Sequence, residues 1–345
     1  MANRFIAGMD VSFLDEIEQA GGLFYENGIA ENCLAIMKGN GVNAIRLRIW
    51  NDPPGGMCNL ARTAAIAKRV KAQGMSLLLD FHYSDVWADP AHQTKPAAWQ
   101  HLSFEELGEA VYSYTKGTLE ALRAEGALPD MVQVGNEITP GMLWDEGKVD
   151  GELNTDSQWS KFASLVQQGI QAVRDTDTSI AVMIHIDRGG DNPSSRSFYD
   201  RFEQLGVEFD VIGLSYYPWW HGTLDQLRAN LHDLALRYGK PILVVETAYP
   251  WTLDGEGKQF IVASEQQLHA GYPASPEGQE QFLADLIRLI KETPGGKGIG
   301  FYYWEPCWIP VKKEWSVGHA NNWSNLTLFD FEGRKLQGLS LLVNA

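Results

Sequence analysis

The sequence predicts an α/β fold in which residues 1–345 form a single (β/α)8 TIM barrel with long loops after strands 7 and 8. Short apolar runs alternate with longer helical patterns from one end of the chain to the other. No Gly/Ser-rich linker or low-complexity tract divides the chain. Repeated strand–helix alternation favours a closed parallel barrel over an open sheet, and such barrels commonly form one domain of about 250 residues or more.

The strands are predicted from runs that are apolar on both faces, a pattern typical of parallel strands covered on both sides. Eight such runs are present: Phe5–Met9, Ala44–Ile49, Ser76–Phe81, Met131–Gly135, Ile180–His185, Val211–Ser215, Ile242–Val245 and Gly300–Tyr303. Their number matches the eight strands of the barrel.

Helical patterns fill the longer intervals between these strands. The clearest are Ala61–Gln73, Phe104–Glu125, Gln158–Asp175, Leu224–Tyr238 and Glu277–Glu292. Gly74 and Gly239 follow two of them, where a glycine takes a positive φ at little cost. Pro276 precedes the last, which suits the first turn of a helix.

Two connections are unusually long for a compact barrel. Residues 247–275 follow the seventh strand, and residues 305–327 follow the eighth. Loops of this length are uncommon unless they serve a function. Both follow strand carboxyl ends, the face of the barrel where active sites lie.

The charge of the chain restricts its partners. Lys and Arg together number 28, and Asp and Glu 44, which gives a formal net charge of −16. So acidic a surface repels phosphate backbones and anionic lipids, so we expect neither nucleic acid nor a membrane surface as a partner. A neutral substrate fits this charge better.

Localisation is not decided by the sequence. No stretch approaches the about 20 apolar residues of a membrane helix, so a soluble protein is expected. The chain starts MANRFIAGMDVS, without a charged segment followed by an apolar one. Either the protein is cytoplasmic or it is secreted and a signal peptide has been removed. Its three cysteines have no metal-binding spacing.

Aromatic residues are abundant and several lie in predicted loops. The chain has 12 Trp, 12 Tyr and 14 Phe, with clusters in SYYPWWHG (215–222) and YYWEPCWIP (302–310). Many of these rings must pack in the core. Aromatic rings in surface loops, however, suit the apolar face of a sugar ring.

Polar residues stand where the apolar strands end. They are Arg46, Arg48, Asp80, His82, Asp85, Asn136, Glu137, His185, Asp187, Ser215, Tyr216, Glu246, Trp304 and Glu305. One polar residue at a strand end is ordinary loop solvation. Because the carboxyl ends of all barrel strands meet at one mouth, residues from seven strands indicate a functional site there.

Two glutamates in this set suggest the chemistry. Glu137 and Glu246 end the fourth and seventh strands, so their side chains can face each other across the barrel. Glycoside hydrolysis uses such a pair, one carboxylic acid to protonate the leaving oxygen and one carboxylate to meet the anomeric carbon. A separation of about 5–5.5 Å would imply retention of configuration. The alternative for either residue is a structural ion pair with an arginine.

These residues carry a family resemblance. Asn136-Glu137 after strand four and Glu246 after strand seven resemble the clan A glycosidases, the "4/7" superfamily. Within that clan the chain is similar to glycoside hydrolase family 53, the endo-β-1,4-galactanases (arabinogalactan endo-β-1,4-galactosidases). The matching segments are FIAGMDVS, GVNAIRLRIWNDP, LLLDFHYSDVWADPAHQTKPAAW, VQVGNEITPGMLW, VIGLSYYPWWHGTL, VVETAYPW and YYWEPCWIP, within residues 5–310.

The resemblance implies a role for each catalytic residue. Glu137 would be the acid/base and Glu246 the nucleophile. Arg46 would pair with Glu246, and Tyr216 would hydrogen-bond to it. A nearby cation favours an ionised carboxyl, so we expect Glu246 to be charged, whereas Glu137 must have a raised pKa to act as an acid.

The resemblance and the strand positions also imply sugar contacts. Asn136 would bind the 2-hydroxyl, and His82 and Trp304 would line the −1 subsite. The remaining candidates by position are Asp85, Trp87, His185, Trp220 and Trp308. Each Trp could instead pack between loop and barrel, and Asp85 could cap a loop.

The sequence departs from the family in the loop after strand seven. Some bacterial members bind calcium there, and Asp254 and Glu256 of TLDGEGKQF could provide oxygen ligands. Lys258 and Phe260 occupy positions where further ligands would be expected, and a lysine repels a cation. We therefore expect no required cofactor, and a structural calcium ion is doubtful.

Three alternatives stay open at this point. The substrate could be another β-1,4-glycan, such as a glucan or a mannan. A metal-dependent hydrolase could use Asp80, His82, His185 and Asp187, although no HxH pair or third histidine ligand is present. A non-catalytic glycan-binding barrel would require the loss of a carboxylate, and both glutamates are present.

Overall fold

A computed structural model describes residues 5–255, 260–311 and 321–344. Its centre is a closed barrel of eight parallel strands, each paired with the next along the chain and the last paired with the first. They are β1 (Ile6–Asp10), β2 (Ala44–Ile49), β3 (Ser76–Phe81), β4 (Met131–Val134), β5 (Ala181–Ile186), β6 (Val211–Tyr216), β7 (Ile242–Thr247) and β8 (Gly298–Trp304). The predicted (β/α)8 barrel is confirmed.

Side chains of one strand alternate between the barrel interior and the layer of helices, because the period of a strand is two residues. In β2, Ile45, Leu47 and Ile49 belong to the large apolar cluster, whereas Ala44 belongs to a small separate cluster of barrel residues. Arg46 and Arg48 share the parity of Ala44. Both arginines therefore point into the barrel, above its apolar floor.

Ten α-helices occur in the described residues. They are α1 (Leu14–Gln19), α2 (Cys33–Gly39), α3 (Leu60–Ala72), α4 (Phe104–Ala124), α5 (Asp156–Thr176), α6 (Asn192–Gln204), α7 (Pro218–His221), α8 (Leu224–Tyr238), α9 (Pro276–Lys291) and α10 (Gln337–Ser340). Short 3-10 turns lie at Pro54–Gly56, Ala97–Trp99, Gly151–Leu153, Glu265–Gln267, Pro294–Gly296 and Leu341–Asn344. Two small hairpins, Phe24–Glu26 with Ile29–Glu31 and Gly141–Met142 with Gly147–Lys148, complete the fold.

The five predicted helices are present with ends within about two residues. Five others were not predicted, and the longest of them is α6. Its sequence is mostly polar, and its buried face depends on Phe198, Tyr199 and Phe202. Asp191 caps its first turn by accepting the N–H of Ser194. Because so few apolar residues mark the helix, tertiary packing rather than periodicity identifies it.

The long connections after β7 and β8 are bound to each other beside the mouth of the barrel. The Asn325 side-chain amide donates to the carbonyl oxygens of Thr252 and Val262, at 2.8 Å each. The backbone N–H of Trp251 donates to the Asn325 carbonyl at 3.0 Å. These contacts form one rim of the site.

Within the described part of the chain, no helix is both long enough and apolar enough to cross a lipid bilayer.

Candidate active site

A cleft of about 440 Å³ opens at the carboxyl ends of the strands. It contains most of the residues that the sequence indicated, drawn from five different strand ends. The predicted residues that line it are His82, Trp87, Asn136, Glu137, Trp220, Glu246, Trp304 and Trp308. Asp187, named in the metal alternative, lines it as well.

Glu137 follows the end of β4 in a strained backbone conformation. Its φ is 47°, in the left-handed region, and Gly135 two residues earlier has a φ of 82°. A non-glycine residue held in this region costs about 1–3 kcal/mol, which the surrounding structure must offset. The turn leaves the side chain partly exposed to the cleft, with Oε1 accepting the Ser215 hydroxyl at 2.6 Å.

Glu246 lies within β7, and each of its carboxylate oxygens has one partner. Oε1 is 2.8 Å from Nη1 of Arg46. Oε2 accepts the Tyr217 hydroxyl at 3.0 Å. An arginine and a phenol thus fix the orientation of this carboxyl, whereas the partner of Glu137 is a neutral hydroxyl.

Arg46 is shared between three buried carboxyl groups. Its guanidinium lies 2.8 Å from a carboxylate oxygen of Asp10, of Asp80 and of Glu246. The side chain is only 1% exposed, and the surrounding carboxylates raise its pKa above the ordinary value despite burial. One positive charge thus serves three acids and cannot fully offset any one of them.

The pKa values of the two glutamates reflect this arrangement. Burial raises the pKa of Glu246 to about 7, with Arg46 opposing the shift and Asp10 and Asp80 adding to it. Arg46 thus does not hold Glu246 at an ordinary carboxyl pKa. Burial, and then the charge of Glu246, raise the pKa of Glu137 well above its ordinary value. The charge of an ionised Glu246 therefore helps Glu137 to keep its proton.

The prediction that Tyr216 hydrogen-bonds to Glu246 is wrong. The Tyr216 hydroxyl donates to the carbonyl of Gly222 at 2.9 Å, and Tyr217 is the residue bonded to Glu246. The alternation of β6 explains the difference, because Ser215 points to the cleft side and Tyr216 away from it. Tyr217, two residues after Ser215, returns to the cleft side.

His82 is anchored in one tautomer. Its Nδ1 accepts the indole N–H of Trp50 at 3.2 Å and the backbone N–H of Ala88 at 3.0 Å. Because Nδ1 is an acceptor, the ring proton is on Nε2, which lies 3.1 Å from Asp80 Oδ2. The ring lines the cleft as a fixed wall.

Asn136 is oriented by charge. Its Oδ1 accepts from Arg46 Nη2 at 2.9 Å and lies 3.0 Å from Gln133 Nε2. Its Nδ2 donates one hydrogen to the Ala88 carbonyl at 2.8 Å and carries a second, and Asn136 lines the cleft.

Two buried polar residues of this network, Gln133 and Asp10, were not predicted as site residues. Gln133 is fully buried, and its Oε1 accepts from Arg46 Nε at 3.2 Å. Asp10 ends β1 and pairs with Arg46. The available signal was a polar residue within, or at the end of, an otherwise apolar strand.

An aromatic wall closes one side of the cleft. Trp304 packs edge-on against Trp323 with ring centroids 4.5 Å apart, and Trp323 was not predicted. Arg48 lies below the wall, with its guanidinium carbon 4.0 Å from the Phe13 ring centroid and 4.3 Å from that of Trp87. Such cation–π contacts hold an indole in a fixed orientation.

Two predicted sugar contacts do not line the cleft. Asp85 accepts the backbone N–H groups of Asp52 and Ala97, at 2.9 and 2.8 Å, and so joins two loops. His185 is fully buried beneath Glu137, with Nε2 2.8 Å from Ser215 Oγ. Both side chains are used within the protein, so neither is a substrate contact in this structure.

The residues of the metal alternative do not form a metal site. In the described ranges, no three His, Cys, Asp or Glu side chains are grouped to hold a metal ion. Asp80 and His82 bond to each other, whereas His185 contacts Ser215 and Asp187 pairs with Arg188.

Asp254 is exposed, and among the described residues it belongs to no group of three potential metal ligands. Glu256, its predicted companion in the calcium hypothesis, lies outside the described residues.

A partly buried pair of glutamates at the ends of the fourth and seventh strands, facing one aromatic cleft, is the arrangement of a barrel glycoside hydrolase. Comparison with known proteins gives the family. The chain belongs to glycosyl hydrolase family 53, whose family model matches residues 6–342.

Known proteins of this family match nearly the whole chain. It is 67% identical to an uncharacterized protein in the bgaB 5′ region of Niallia circulans, covering 98% of this chain and 93% of that one. It is 36% identical to the endo-β-1,4-galactanase of Bacillus subtilis (strain 168), covering 99% and 86%. The solved GH53 catalytic domain of Ignisphaera aggregans superposes with a TM-score of 0.93 at 44% identity, covering 99% and 97%.

Proposed function

We propose that the chain is an endo-β-1,4-galactanase that hydrolyses β-1,4-galactan, including the arabinogalactan side chains of pectin, by a retaining double displacement. The observation that supports it most directly is the unequal surroundings of the two cleft glutamates. Glu246 contacts a cation and a phenol, and Glu137 contacts a neutral serine hydroxyl. This inequality suits one carboxylate nucleophile and one carboxylic acid.

In the first step, Glu137 protonates the glycosidic oxygen while Glu246 attacks the anomeric carbon. The bond between that carbon and the leaving oxygen breaks, and a glycosyl ester of Glu246 forms. The leaving oxygen departs as the hydroxyl of the shortened chain. The negative charge of Glu246 is consumed, so its contribution to the raised pKa of Glu137 disappears and Glu137 can lose its proton more easily.

In the second step, Glu137 is ionised and takes a proton from water. The water oxygen attacks the anomeric carbon, and the ester bond to Glu246 breaks. Two inversions at one carbon give retention. Glu246 returns to its carboxylate form beside Arg46, and Glu137 is again protonated.

Neighbouring side chains support both steps. Asn136 is proposed to donate to the 2-hydroxyl through the second hydrogen of its Nδ2, a contact that strengthens in the transition state. Trp304 is proposed to stack under the sugar at the −1 subsite, with His82 beside it. Tyr217, rather than Tyr216, orients the nucleophile.

The choice of galactan is supported by the relatives. The Bacillus subtilis protein carries the name endo-β-1,4-galactanase at 36% identity over nearly all of this chain. An acidic protein with an aromatic cleft suits a neutral sugar chain. Several aromatic side chains along the cleft suit several sugar subsites, and so attack within the chain rather than at its end.

Product analysis on purified β-1,4-galactan tests this proposal. We expect NMR to detect the β-anomer first, with oligosaccharides of several lengths as early products. Cellulose and mannan, at equal concentration, should release few reducing ends. Early α-anomer would contradict retention, and faster release from glucan or mannan would change the substrate.

The two glutamates are tested by amide substitution. Glu137→Gln and Glu246→Gln should each lower kcat on galactan by roughly a thousandfold or more, with an unchanged melting temperature. Glu208→Gln, exposed and outside the cleft, is the matched control and should keep full activity. Wild-type turnover in either cleft variant would refute the mechanism.

We also propose that no metal cofactor takes part, since carboxyl groups of the chain supply both proton transfer and nucleophile. Dialysis against excess EDTA should leave kcat on galactan within about twofold of the untreated value. A loss that added Ca²⁺ or Zn²⁺ restores would instead support a metal role.

A further inference from the structure

We propose that His185 and Ser215 form a fixed hydrogen-bond chain that reserves Oε1 of Glu137 as an acceptor and thereby keeps the transferable proton on Oε2. The two are positioning residues, since they act through Glu137 and do not line the cleft. The inference rests on the proposed role of Glu137 as the acid/base. It adds which carboxyl oxygen of Glu137 transfers the proton and which contacts select that oxygen.

The chain of contacts is short and buried. His185 Nε2 lies 2.8 Å from Ser215 Oγ, and the Ser215 hydroxyl donates to Glu137 Oε1 at 2.6 Å. Both His185 and Ser215 are 0% exposed, so no solvent replaces either partner. In the described structure, Oε2 of Glu137 accepts from no side chain of this network.

The direction of the chain follows from the other ring nitrogen of His185. Nδ1 faces the backbone N–H of Glu137 at 3.4 Å, a donor whose hydrogen is fixed by the peptide plane, and it also lies 3.0 Å from Gln133 Nε2. An imidazole nitrogen that receives N–H groups carries no proton itself. The ring proton is then on Nε2 and is donated to Ser215 Oγ.

One contact could favour the opposite tautomer. Asn136 Oδ1 lies 3.0 Å from His185 Nδ1 and would accept a proton there. That oxygen already accepts from Arg46 Nη2 at 2.9 Å and faces Gln133 Nε2 at 3.0 Å. Arg46 thus already donates to Asn136 Oδ1, and a proton on His185 Nδ1 would face the fixed backbone N–H of Glu137, so the histidine proton stays on Nε2.

The consequence for Glu137 is a choice between its oxygens. The Ser215 oxygen accepts a hydrogen bond from His185. The single hydroxyl hydrogen of Ser215 is then free to be donated, and it is donated to Oε1 of Glu137. A proton on Oε1 would face that hydrogen. The acidic proton therefore resides on Oε2, and the same oxygen recovers a proton when Glu137 acts as a base.

A neutral chain suits this position. The ionisable groups that face Glu137 are Glu246, Asp187, Asp89, Tyr217 and His185. Burial, with Arg46 adding to it, lowers the pKa of His185 well below its ordinary value, so the ring stays uncharged. An uncharged partner orients Glu137 and leaves its proton in place. A lysine or arginine at this position would instead lower the pKa of Glu137 and favour loss of the proton.

The tautomer can be measured directly on the wild-type protein. In a long-range ¹⁵N–¹H correlation spectrum, His185 should have a pyrrole-type Nε2 and a pyridine-type Nδ1 across neutral pH. An Nδ1–H tautomer or a charged ring would overturn the proposal. This measurement does not depend on any activity.

Removal of the serine hydroxyl tests its effect on Glu137. Because that hydrogen bond favours the ionised form, Ser215→Ala should raise the pKa of Glu137, and the basic limb of kcat/KM should move up by about one pH unit. Turnover of galactan should fall about tenfold or more, since either oxygen can then carry the proton. Ser215→Thr, which keeps a hydroxyl, should restore the wild-type limb.

A matched control isolates the chain from general loss of a buried hydroxyl. Ser195 is also 0% exposed, and its hydroxyl donates to the Arg188 carbonyl rather than to a cleft carboxyl. Ser195→Ala should leave the basic limb in place. If the basic limb of kcat/KM lies at the same pH in Ser215→Ala and in wild type, the proposal is refuted, even if turnover falls.

The histidine is tested by a pair of variants. His185→Gln keeps an N–H donor for Ser215, whereas His185→Leu does not, so only His185→Leu should reproduce the shift of Ser215→Ala. If Glu137→Gln retains activity, the proposed function fails. If Glu137→Gln is inactive but the Ser215 and His185 variants have wild-type pH profiles, the hydrogen-bond chain alone fails.

Discussion

At the scale of single residues, neighbours rather than residue type separate the two glutamates. Glu246 contacts Arg46 and Tyr217, and Glu137 contacts Ser215. Burial raises the pKa of both, but the arginine and the phenol oppose the shift at Glu246. The ionised group and the protonated group are therefore defined by contacts that lie on other strands.

A residue-scale prediction follows for the two adjacent tyrosines. Tyr217→Phe removes a hydrogen bond that favours the ionised form of Glu246, so the pKa of Glu246 should rise and the acid limb of activity should move to higher pH. Because a hydrogen bond to a charged group is stronger than one between neutral groups, its loss should lower kcat by roughly 10- to 100-fold.

Tyr216→Phe is the matched control for this prediction. It loses only the bond to the Gly222 carbonyl and should keep both kcat and the acid limb. Steady-state kinetics between pH 4 and 8 compare the two variants. A larger loss in Tyr216→Phe than in Tyr217→Phe would contradict the contacts described above.

At the scale of elements, strands and helices have separate tasks. The strand ends deliver the polar side chains to the cleft, and the helices cover the outer face of the barrel. Glycines end several helices, as Gly239 does at α8 with a φ of 61°. A Cβ at Gly239 would meet no atom within 4 Å, so the cost of alanine there is conformational and not steric.

Two Gly→Ala changes therefore have opposite expected effects. Gly239→Ala should lower the free energy of unfolding by about 1 kcal/mol, because alanine resists the left-handed region. Gly117→Ala, in the exposed interior of α4 and equally free of contacts, should raise it by about 0.5–1 kcal/mol.

Urea unfolding measures both variants, and galactan activity at moderate temperature should be unchanged in each. If both changes destabilised the protein equally, the backbone conformation at Gly239 would not be the cause.

At the scale of the whole molecule, the barrel interior holds several carboxyl groups away from water. Glu305 is 0% exposed, and Arg48 Nη2 lies 2.8 Å from its Oε1. Burial raises the pKa of Glu305 to about 8, and Arg48 opposes the shift. The folded state therefore binds this proton more tightly than the unfolded state, whose glutamate pKa is 4.5.

The sign of the pH effect follows from this difference. Below about pH 4.5 the carboxyl is protonated in both states, and its contribution to stability is fully present. As the pH rises through 4.5 to about 8, the unfolded state loses the proton first and stability falls. Glu305→Gln cannot ionise, so it should lack this decline.

Urea unfolding at pH 4.5, 6.5 and 8.5 compares the two proteins. Relative to wild type, Glu305→Gln should gain stability as the pH rises, whatever constant cost the loss of the Arg48 pair adds. Parallel stability curves would contradict the raised pKa of Glu305.

The fold was predictable because its signals are local. All eight predicted strands are present with ends within about two residues, since each is a short apolar run between turn residues. The helix α6 was missed because its apolar residues are few. The cleft side chains were predicted less well: Asp85 and His185 stand at strand ends but bond within the protein, and Gln133 and Trp323 were not recognised.

The sequence by itself determined the (β/α)8 barrel, the glutamate pair and the family resemblance, because alternation and strand-end residues can be read along a single stretch of chain. Only the tertiary structure decided which tyrosine meets Glu246, that Arg46 is shared by three carboxyl groups, and that Ser215 and His185 support Glu137. Side-chain direction, burial and electrostatic field arise where distant segments meet, so these properties depend on the closed barrel.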